Sequence, residues 1–256
     1  MHWEYILADE DYILYTRNIT LLEEQVTENF PELQKAPEIL SAIRKVPRHI
    51  FVNKSFRYMA YTDSAIPTSG GLTTSAPSVI GQMIYHTGIQ SGEKLLEIGT
   101  GTGYEVAVLS EMGVNVFTIE IDEYLAKWAN RVLVQLGYKI DKSIRDEVKK
   151  KMILKRFQEV RDLFPNRSTV ELYLGNGRFG LKRHAPFKGI ILAASVPHLH
   201  CIYHLIEQLN TDGGRLVVPA GKRKEQTLYI VERKQNQFHT YTVDGTSFDF
   251  VRLFLE

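Results

Sequence analysis

The feature that most constrains the fold is a regular alternation of strand and helix that begins near Lys94. The run KLLEIG has the pattern of a short strand, GYEVAVLSEMG that of a helix, and VNVFTIE that of a second, β-branched strand. A segment with the spacing of an amphipathic helix follows, DEYLAKWANRVLVQLG. This alternation predicts a parallel sheet covered by helices on both faces, because parallel neighbours need a crossover connection.

The C-terminal part of the chain continues the sheet and then changes its pattern. Further strands are expected at TVELYLG, FKGIILAAS and GRLVVPAG, with a helix at IYHLIEQLN between the last two. Three strand-like runs without helices between them follow: QTLYIVERK, QFHTYTV and FDFVRLFL. Strands with short connections are usually antiparallel. The expected fold class is therefore α/β, a Rossmann-like, doubly wound, mostly parallel sheet with an antiparallel C-terminal section.

The first 77 residues precede this pattern and are expected to add N-terminal helices and a loop. Asn18-Ile19-Thr20 has the residue types of an N-cap for a helix over LLEEQVTENF. A second helix is predicted at PEILSAIRKV, where apolar residues share one face until Pro47 stops it. Residues 61–77 are rich in Gly, Ser, Thr and Pro, which predicts a loop.

The segment between Tyr138 and Ser168 departs from the alternation. It has nine Lys/Arg and five Asp/Glu between Lys139 and Asp162, and its apolar residues allow one more amphipathic helix. We expect a charged helical insertion over residues 139–167. It is either a solvated helix on the edge of the sheet or a basic face that docks a partner or substrate.

Composition and charge exclude several classes of protein. No apolar run approaches the roughly 18–20 residues that a membrane span needs, and the acidic N-terminal segment lacks the basic start of a secretory signal. A net charge of +1 does not indicate a broad nucleic-acid surface. The single cysteine, Cys201, cannot form an intramolecular disulfide, and the histidines show no zinc signature, so no metal site is expected. We expect a cytoplasmic protein without nucleic-acid or membrane partners; its oligomeric state is undefined, with a monomer slightly favoured.

The strongest functional signal is a Gly-rich turn between the first predicted strand and its helix, Glu97-Ile98-Gly99-Thr100-Gly101-Thr102-Gly103. Backbone N–H groups can approach a ligand there, at a helix N-terminus. Glu120 ends the next strand, where a carboxylate can accept both ribose hydroxyls of a nucleoside. The glycines alternate as G-x-G-x-G, and Glu97 opposes a pyrophosphate but suits the cationic end of S-adenosylmethionine. We favour that cofactor, while a dinucleotide and a purely structural turn stay open.

Asn176 follows the predicted strand TVELYL, within the sequence LGNG. Because ligands bind at the carboxyl ends of parallel strands, its amide could contact the edge of an adenine. A simple turn built from Gly and Asn explains the same residues.

Seven segments of the chain carry a family resemblance: VPRHIFV, AYTDSAIP, GLTTSAP, LLEIGTGTGY, LGNGRFG, APFKGIILAAS and GGRLVVPAG. Together they resemble the protein-L-isoaspartate O-methyltransferase family. The resemblance covers roughly Ile19 to Glu256, apart from the charged segment between Tyr138 and Ser168. Many methyltransferases share LEIGTGTGY, whereas VPRHIFV together with the TTSAP sequence is much more specific to this family.

The resemblance implies methyl transfer from S-adenosylmethionine to the α-carboxylate of L-isoaspartyl residues in damaged proteins or peptides. The ester lets the chain cyclise to a succinimide, which reopens partly as normal aspartate. The implied catalytic residue is Ser75, with Thr73, Thr74, Ala76 and Val251 on the substrate side. The implied cofactor residues are Glu97, Gly99, Thr100, Gly101, Gly103, Glu120, Ile121, Asn176 and Gly177. One methyltransferase domain is expected over residues 1–256, with N-terminal helices and the substrate loop in 1–77 and the cofactor-binding core in 78–256.

Some features leave alternatives open. Family members usually have Gln where Leu72 stands, Asp where Asn176 stands, and no long insertion at 139–167. Ser75 has two interpretations: its hydroxyl orients the acceptor carboxylate, or it only caps the helix that begins near Ala76. The alternatives to isoaspartate repair are an O-methyltransferase acting on an aspartate of a dedicated peptide, and a non-catalytic S-adenosylmethionine-binding protein.

Overall fold

The structure is a computed structural model that describes residues 9–140, 168–222, 225–248 and Phe250. The helices are α1 Asp9–Asn29, α2 Pro37–Lys45, α3 Pro77–Thr87, α4 Tyr104–Glu111, α5 Glu123–Gln135 and α6 Tyr203–Ile206. The strands are β1 Ile66–Pro67, β2 Thr73–Thr74, β3 Lys94–Ile98, β4 Asn115–Glu120, β5 Lys139–Ile140, β6 Thr169–Leu174, β7 Gly189–Leu192, β8 Asp212–Lys222, β9 Glu225–Lys234 and β10 Gln237–Phe248. No helix among these residues has the length and apolar character to cross a bilayer.

Eight strands form the central sheet in the order β10-β9-β8-β7-β3-β4-β6-β5. The pairs from β8 to β5 are parallel, and β9 and β10 continue the sheet antiparallel. The predicted fold class is confirmed. From β3 the chain continues to β4 on one side of β3, whereas β7 lies on the other side of β3. In open α/β sheets, such a reversal of strand order opens a crevice at the carboxyl ends, where ligands bind.

Alternation along the strands fills both faces of the sheet. Leu95 of β3 joins a core shared with the N-terminal helices, whereas its neighbour Leu96 joins a second core on the opposite face. The first core holds Leu22 of α1 and Ile43 of α2. Side chains one residue apart on a strand point to opposite faces, so both layers of helices bury their apolar sides on the same sheet.

The N-terminal helix starts earlier than the sequence predicts. The expected cap at Asn18-Ile19-Thr20 is wrong, because these residues lie inside α1. Asn18 donates its side-chain N–H to the carbonyl of Leu14, 2.7 Å away, so its amide bonds within the helix instead of ending it. Tyr15 and Ile19 are buried, and their packing keeps the residues before the expected cap helical.

The helix predicted at IYHLIEQLN is shorter than expected, since α6 covers only Tyr203–Ile206. The chain beyond it is held against Phe187, whose N–H donates to Gln208 O (2.9 Å) and whose carbonyl accepts from Asn210 N–H (2.7 Å). These bonds replace further helical turns. Of the predicted strand FDFVRLFL, residues 249 and 251–255 lie outside the described residues, as do residues 141–167 of the charged insertion.

Candidate active site

A cavity of about 290 Å³ opens at the carboxyl ends of β3 and β4. Its wall contains most of the predicted site residues: Thr73, Thr74, Ser75 and Ala76 from the loop before α3, and Glu97, Gly99, Thr100, Gly101, Glu120, Ile121, Asn176 and Gly177 from the sheet. Predicted acceptor and cofactor residues therefore converge on one cavity. The predicted substrate residue Val251 lies outside the described residues.

Gly103 is the one predicted cofactor residue of the described chain that does not line the cavity. It precedes α4 with a φ of +87°, a conformation that L side chains rarely adopt. A Cβ there would lie 3.2 Å from Ala129 Cβ and 3.3 Å from Leu133 Cδ1. Its geometry therefore points to a packing role, in which the missing side chain lets α4 approach α5 closely.

Glu97 ends a chain of hydrogen bonds beneath the Gly-rich turn. The Thr118 hydroxyl donates to Glu97 Oε2, and it can then accept from the Thr100 hydroxyl at 2.6 Å. Glu97 is 1% exposed, and its Oε1 has no hydrogen-bond partner within the described residues. Burial, with the nearby Glu105 carboxyl, raises the pKa of Glu97 well above its usual range. Because Glu97 lines the cavity, this unpaired carboxyl is suited to a cationic ligand.

Glu120 is held by three backbone N–H groups. Oε2 accepts from Gly101 at 2.7 Å, and Oε1 accepts from Ile121 and Asp122 at 2.9 Å each. Burial raises the pKa of this carboxyl, although the three N–H donors act in the opposite direction. A carboxylate offers about four acceptor positions, which leaves room on Oε2 for one ribose hydroxyl instead of the two expected.

Asn176 both borders the cavity and shapes its own turn. Its Oδ1 accepts from the Arg178 N–H at 2.9 Å and caps the short 3₁₀ turn Gly177–Phe179. A Cβ on Gly177 would come within 2.5 Å of Ile98 Cγ2, so only glycine allows this turn to lie so close to β3. The structural interpretation of Asn176 therefore holds, and its contact with a ligand stays a prediction.

The helix-capping interpretation of Ser75 does not agree with the structure. The N-cap of α3 is Ala76 and makes no side-chain cap; instead, Asp63 Oδ1 accepts from the Ser78 N–H at 2.8 Å. Ser75 is half-buried and lines the cavity. Its hydroxyl has no hydrogen-bond partner among the described residues, so it is available to a ligand.

Arg48 is an important residue that the sequence reasoning missed. Its guanidinium is fully buried and donates to four backbone carbonyls, at Ala60, Thr62, Ser64 and Ser75, over 2.8–3.2 Å. Burial lowers its pKa. The signal was present in the sequence: an arginine stands inside the apolar run VPRHIFV, and buried charges need specific partners. Arg48 fixes the backbone of the Ser75 loop.

The cavity is also lined by residues that the sequence did not assign to the site. Leu72 lies on the acceptor side of the cavity, and Tyr104 and Glu105 begin α4 directly after the Gly-rich turn. Glu105 is 6% exposed. An acidic residue in the first turn of a helix is usually explained by its favourable interaction with the helix dipole. For this reason the sequence alone did not single out Glu105.

Fold and site together define the class of protein. A mostly parallel sheet with a Gly-rich turn after its central strand, and an acid ending the next strand, is the architecture of Rossmann-like, S-adenosylmethionine-dependent methyltransferases. The sequence pattern of one family within this class matches residues 19–253. The chain belongs to the protein-L-isoaspartate(D-aspartate) O-methyltransferase family, as the sequence resemblance predicts.

Individual relatives agree with this membership. Protein-L-isoaspartate O-methyltransferase 2 of Shewanella sediminis is 35% identical over 84% of this chain and 75% of its own length. Protein-L-isoaspartate O-methyltransferase 1 of Syntrophobacter fumaroxidans is 36% identical over 76% of both chains.

Solved structures share the fold. One named protein-L-isoaspartate O-methyltransferase has a TM-score of 0.68 at 21% identity, over 90% of this chain and 65% of that one. A Plasmodium falciparum protein in complex with S-adenosyl-L-homocysteine, provisionally assigned to the same enzyme, has a TM-score of 0.64 at 18% identity, over 93% of this chain and 99% of that one.

Proposed function

We propose that this protein transfers the methyl group of S-adenosylmethionine to the α-carboxylate of L-isoaspartyl residues in damaged proteins and peptides. The observation that carries the proposal is a single cavity lined by both the Gly-rich turn and the Ser75 loop. A methyl donor and its acceptor must lie within about 3–3.5 Å of each other to react. One shared cavity meets that requirement.

The residues of the sheet fit the cofactor. S-adenosylmethionine supplies an electrophilic methyl group on a sulfonium centre. The unpaired Glu97 Oε1 suits the cationic methionine end, and Glu120 Oε2 has room for a ribose hydroxyl. A Cβ on Gly101 would meet no atom within 4 Å, so the turn borders open space. Asn176 and Gly177 also line the cavity, which supports assigning them to the adenine.

The acceptor needs no general base. A carboxylate has an ordinary pKa near 4, so it is already ionised at neutral pH. Its oxygen bonds to the methyl carbon as the carbon–sulfur bond breaks, the electron pair stays on sulfur, and no proton moves. The Ser75 hydroxyl donates to the acceptor carboxylate and aims it, while the surrounding wall excludes water.

We propose that residues 1–256 act as one methyltransferase domain. The support is a continuous core in which Leu22 and Ile43 of the N-terminal helices pack with Leu95 of β3 and Val217 of β8. The acceptor loop, which joins these helices to the sheet, is therefore anchored on both sides.

The test uses one peptide in two forms, with L-isoaspartate or L-aspartate at the same position, and S-adenosylmethionine labelled in its methyl group. Base-labile methyl esters are expected on the isoaspartyl form alone. Ester on the aspartyl form would indicate a dedicated aspartate substrate instead. Cofactor binding without ester on either peptide would indicate a non-catalytic binding protein.

A further inference from the structure

A second buried carboxyl lies in the cofactor part of the cavity. Glu105, in the first turn of α4, lines the same cavity as Glu97. The two residues are 6% and 1% exposed. Oε1 of each carboxyl has no hydrogen-bond partner within the part of the chain that the structure describes. Two unpaired acidic oxygens in one cavity are costly unless a ligand pairs with them.

The surroundings of Glu105 supply no such pairing. The acidic neighbour of Glu105 is Glu97 on β3. The Glu105 carboxyl raises the pKa of Glu97 more strongly than the Glu120 carboxyl on β4 does. The residues that α2 buries are the apolar Ile39, Ala42 and Ile43. Behind Tyr104 lies the Arg48 guanidinium, 5.5 Å from the Tyr104 ring centroid. That cation is already bonded to four carbonyls.

We propose that Glu105 and Glu97 form a two-carboxylate subsite for the cationic methionine end of S-adenosylmethionine. The proposal deepens the proposed function and rests on its cofactor, not on its acceptor. Glu120 and Asn176 line the same cavity and are the residues proposed for the nucleoside. The carboxyl pair is therefore left for the ammonium and sulfonium groups, next to the Ser75 loop.

This subsite couples cofactor binding to a proton. Burial raises the pKa of Glu105 to about 8 and that of Glu97 well above its usual range, so both carboxyls are protonated at neutral pH in the cofactor-free protein. A bound cation favours the charged form. Glu105 then releases its proton to solvent as S-adenosylmethionine binds, and cofactor affinity increases as the pH is raised toward 8.

Calorimetric titration in buffers of different ionisation enthalpy counts the protons released. At pH 7 we expect the wild-type protein to release about 1–2 protons per S-adenosylmethionine bound, one from each carboxyl that ionises. 5′-Methylthioadenosine, which lacks both the ammonium and the sulfonium, is expected to bind without proton release. This measurement needs neither a variant nor turnover.

Two matched variants assign the proton. Glu105→Gln is expected to release about one proton fewer than the wild type and to lower S-adenosylmethionine affinity about tenfold, with 5′-methylthioadenosine affinity unchanged. Glu111→Gln removes a carboxylate from the same helix, outside the cavity, and should behave as wild type.

The proposal is overturned if the wild type releases no proton, if Glu105→Gln releases as many as the wild type, or if 5′-methylthioadenosine releases as many as S-adenosylmethionine. Should Glu105→Gln fail to fold, the comparison of the two ligands on the wild type decides. Proton release without any methylation of isoaspartyl peptide would overturn the proposed acceptor and leave this subsite standing.

Discussion

The two ends of the cavity carry buried ionisable groups of opposite type, which have opposite charges once a bound cation ionises the carboxyls. Behind the Gly-rich turn lie the carboxyls of Glu97 and Glu105, and behind the Ser75 loop lies the guanidinium of Arg48, whose Nη2 is 2.9 Å from Ser75 O. The proposed methyl donor is cationic and the proposed acceptor is anionic. With the cofactor bound, the cavity is therefore polarised in the direction that places the anionic acceptor at the Arg48 end, and a buried field acts strongly because water does not screen it.

The two ends also differ in how they are built. Glu120 is bonded to the backbone of the turn and of the next helix, so the sheet itself fixes the cofactor end. The acceptor end is a loop between β1 and α3, tied down by Arg48 and Asp63. Changes at one end should therefore alter one ligand and spare the other, and each prediction below tests that separation.

The largest expected effect is the pH dependence of stability. Burial raises the pKa of Glu105 from 4.5 to about 8 in the folded protein, so the folded protein keeps a proton that the unfolded chain releases. The contribution of Glu105 to the free energy of unfolding is fully present below about pH 4.5. It is lost as the pH rises to 8, by on the order of 1 kcal/mol per pH unit. Urea unfolding of the cofactor-free protein from pH 6 to 8 should show this fall in wild type and less of it in Glu105→Gln.

Glu123→Gln provides the control for that series, because its side chain is exposed. It should follow the wild-type pH dependence. If the free energy of unfolding depends on pH in the same way in the wild type and in Glu105→Gln, Glu105 is already ionised in the folded protein. Burial would then affect the carboxyl at the cofactor end less than the structure indicates.

Loss of the Ser75 hydroxyl is the next largest effect. Ser75→Gly should lower kcat/KM for an isoaspartyl peptide about 10²-fold, because an aligned donor to the reacting group is lost, while S-adenosylmethionine affinity stays unchanged. Ser75→Thr keeps the hydroxyl with a stiffer side chain and should be intermediate. Steady-state kinetics and cofactor titration of both variants check this. Wild-type kcat/KM in Ser75→Gly would remove Ser75 from the mechanism.

At the cofactor end, Glu120→Gln should weaken S-adenosylmethionine binding about tenfold. The NH2 group of Gln cannot accept from the backbone N–H groups that now bond to the carboxylate, and a neutral amide oxygen accepts less strongly from a ribose hydroxyl. The KM for the peptide at saturating cofactor should not change. Calorimetry measures the cofactor affinity, and steady-state kinetics measure the peptide KM. A rise in peptide KM of equal size would show that the two ends are coupled through the turn.

Much of this arrangement could be predicted from the sequence, because it rests on local patterns. The alternation of strands and helices predicts the parallel sheet. The position of a residue directly after a strand predicts that it lies at the carboxyl ends of the strands. Glu97, Gly101 and Glu120 follow from those rules alone. The converging Ser75 loop did not, since no local pattern says where a Gly- and Ser-rich loop packs; it entered through the family resemblance.

What local patterns could not supply was the pairing of distant groups. Arg48 bonds to carbonyls 12 to 27 residues away, and Asp63, not Ser75, caps α3. The burial of Glu105 likewise depends on the packing of α4 between α2 and the sheet. The early start of α1 has the same origin, because buried contacts keep residues helical where their own propensities favour a cap.

The smallest expected effect concerns Leu72, which stands where the family usually has Gln. Its backbone is fixed in the loop, because its carbonyl accepts from Thr68 N–H at 2.8 Å and its N–H donates to Ser69 O at 3.2 Å. Its side chain lines the acceptor side of the cavity, so a substitution should change the wall and spare the loop. Leu72→Gln adds an amide but loses apolar contact, and these effects partly cancel. We expect the KM for an isoaspartyl peptide to fall about twofold, with cofactor affinity unchanged.

Leu72→Met is the matched control for this last prediction, since it keeps an apolar side chain of similar volume and should leave KM as in the wild type. Kinetics on peptides that differ only in the residue after the isoaspartate decide between two causes. If Leu72→Gln lowers KM equally for all of them, the amide acts on the isoaspartyl group or the peptide backbone. If it instead raises KM for peptides with an apolar neighbour, Leu72 contacts that side chain. The acceptor end would then select its substrates by the residue beside the damage.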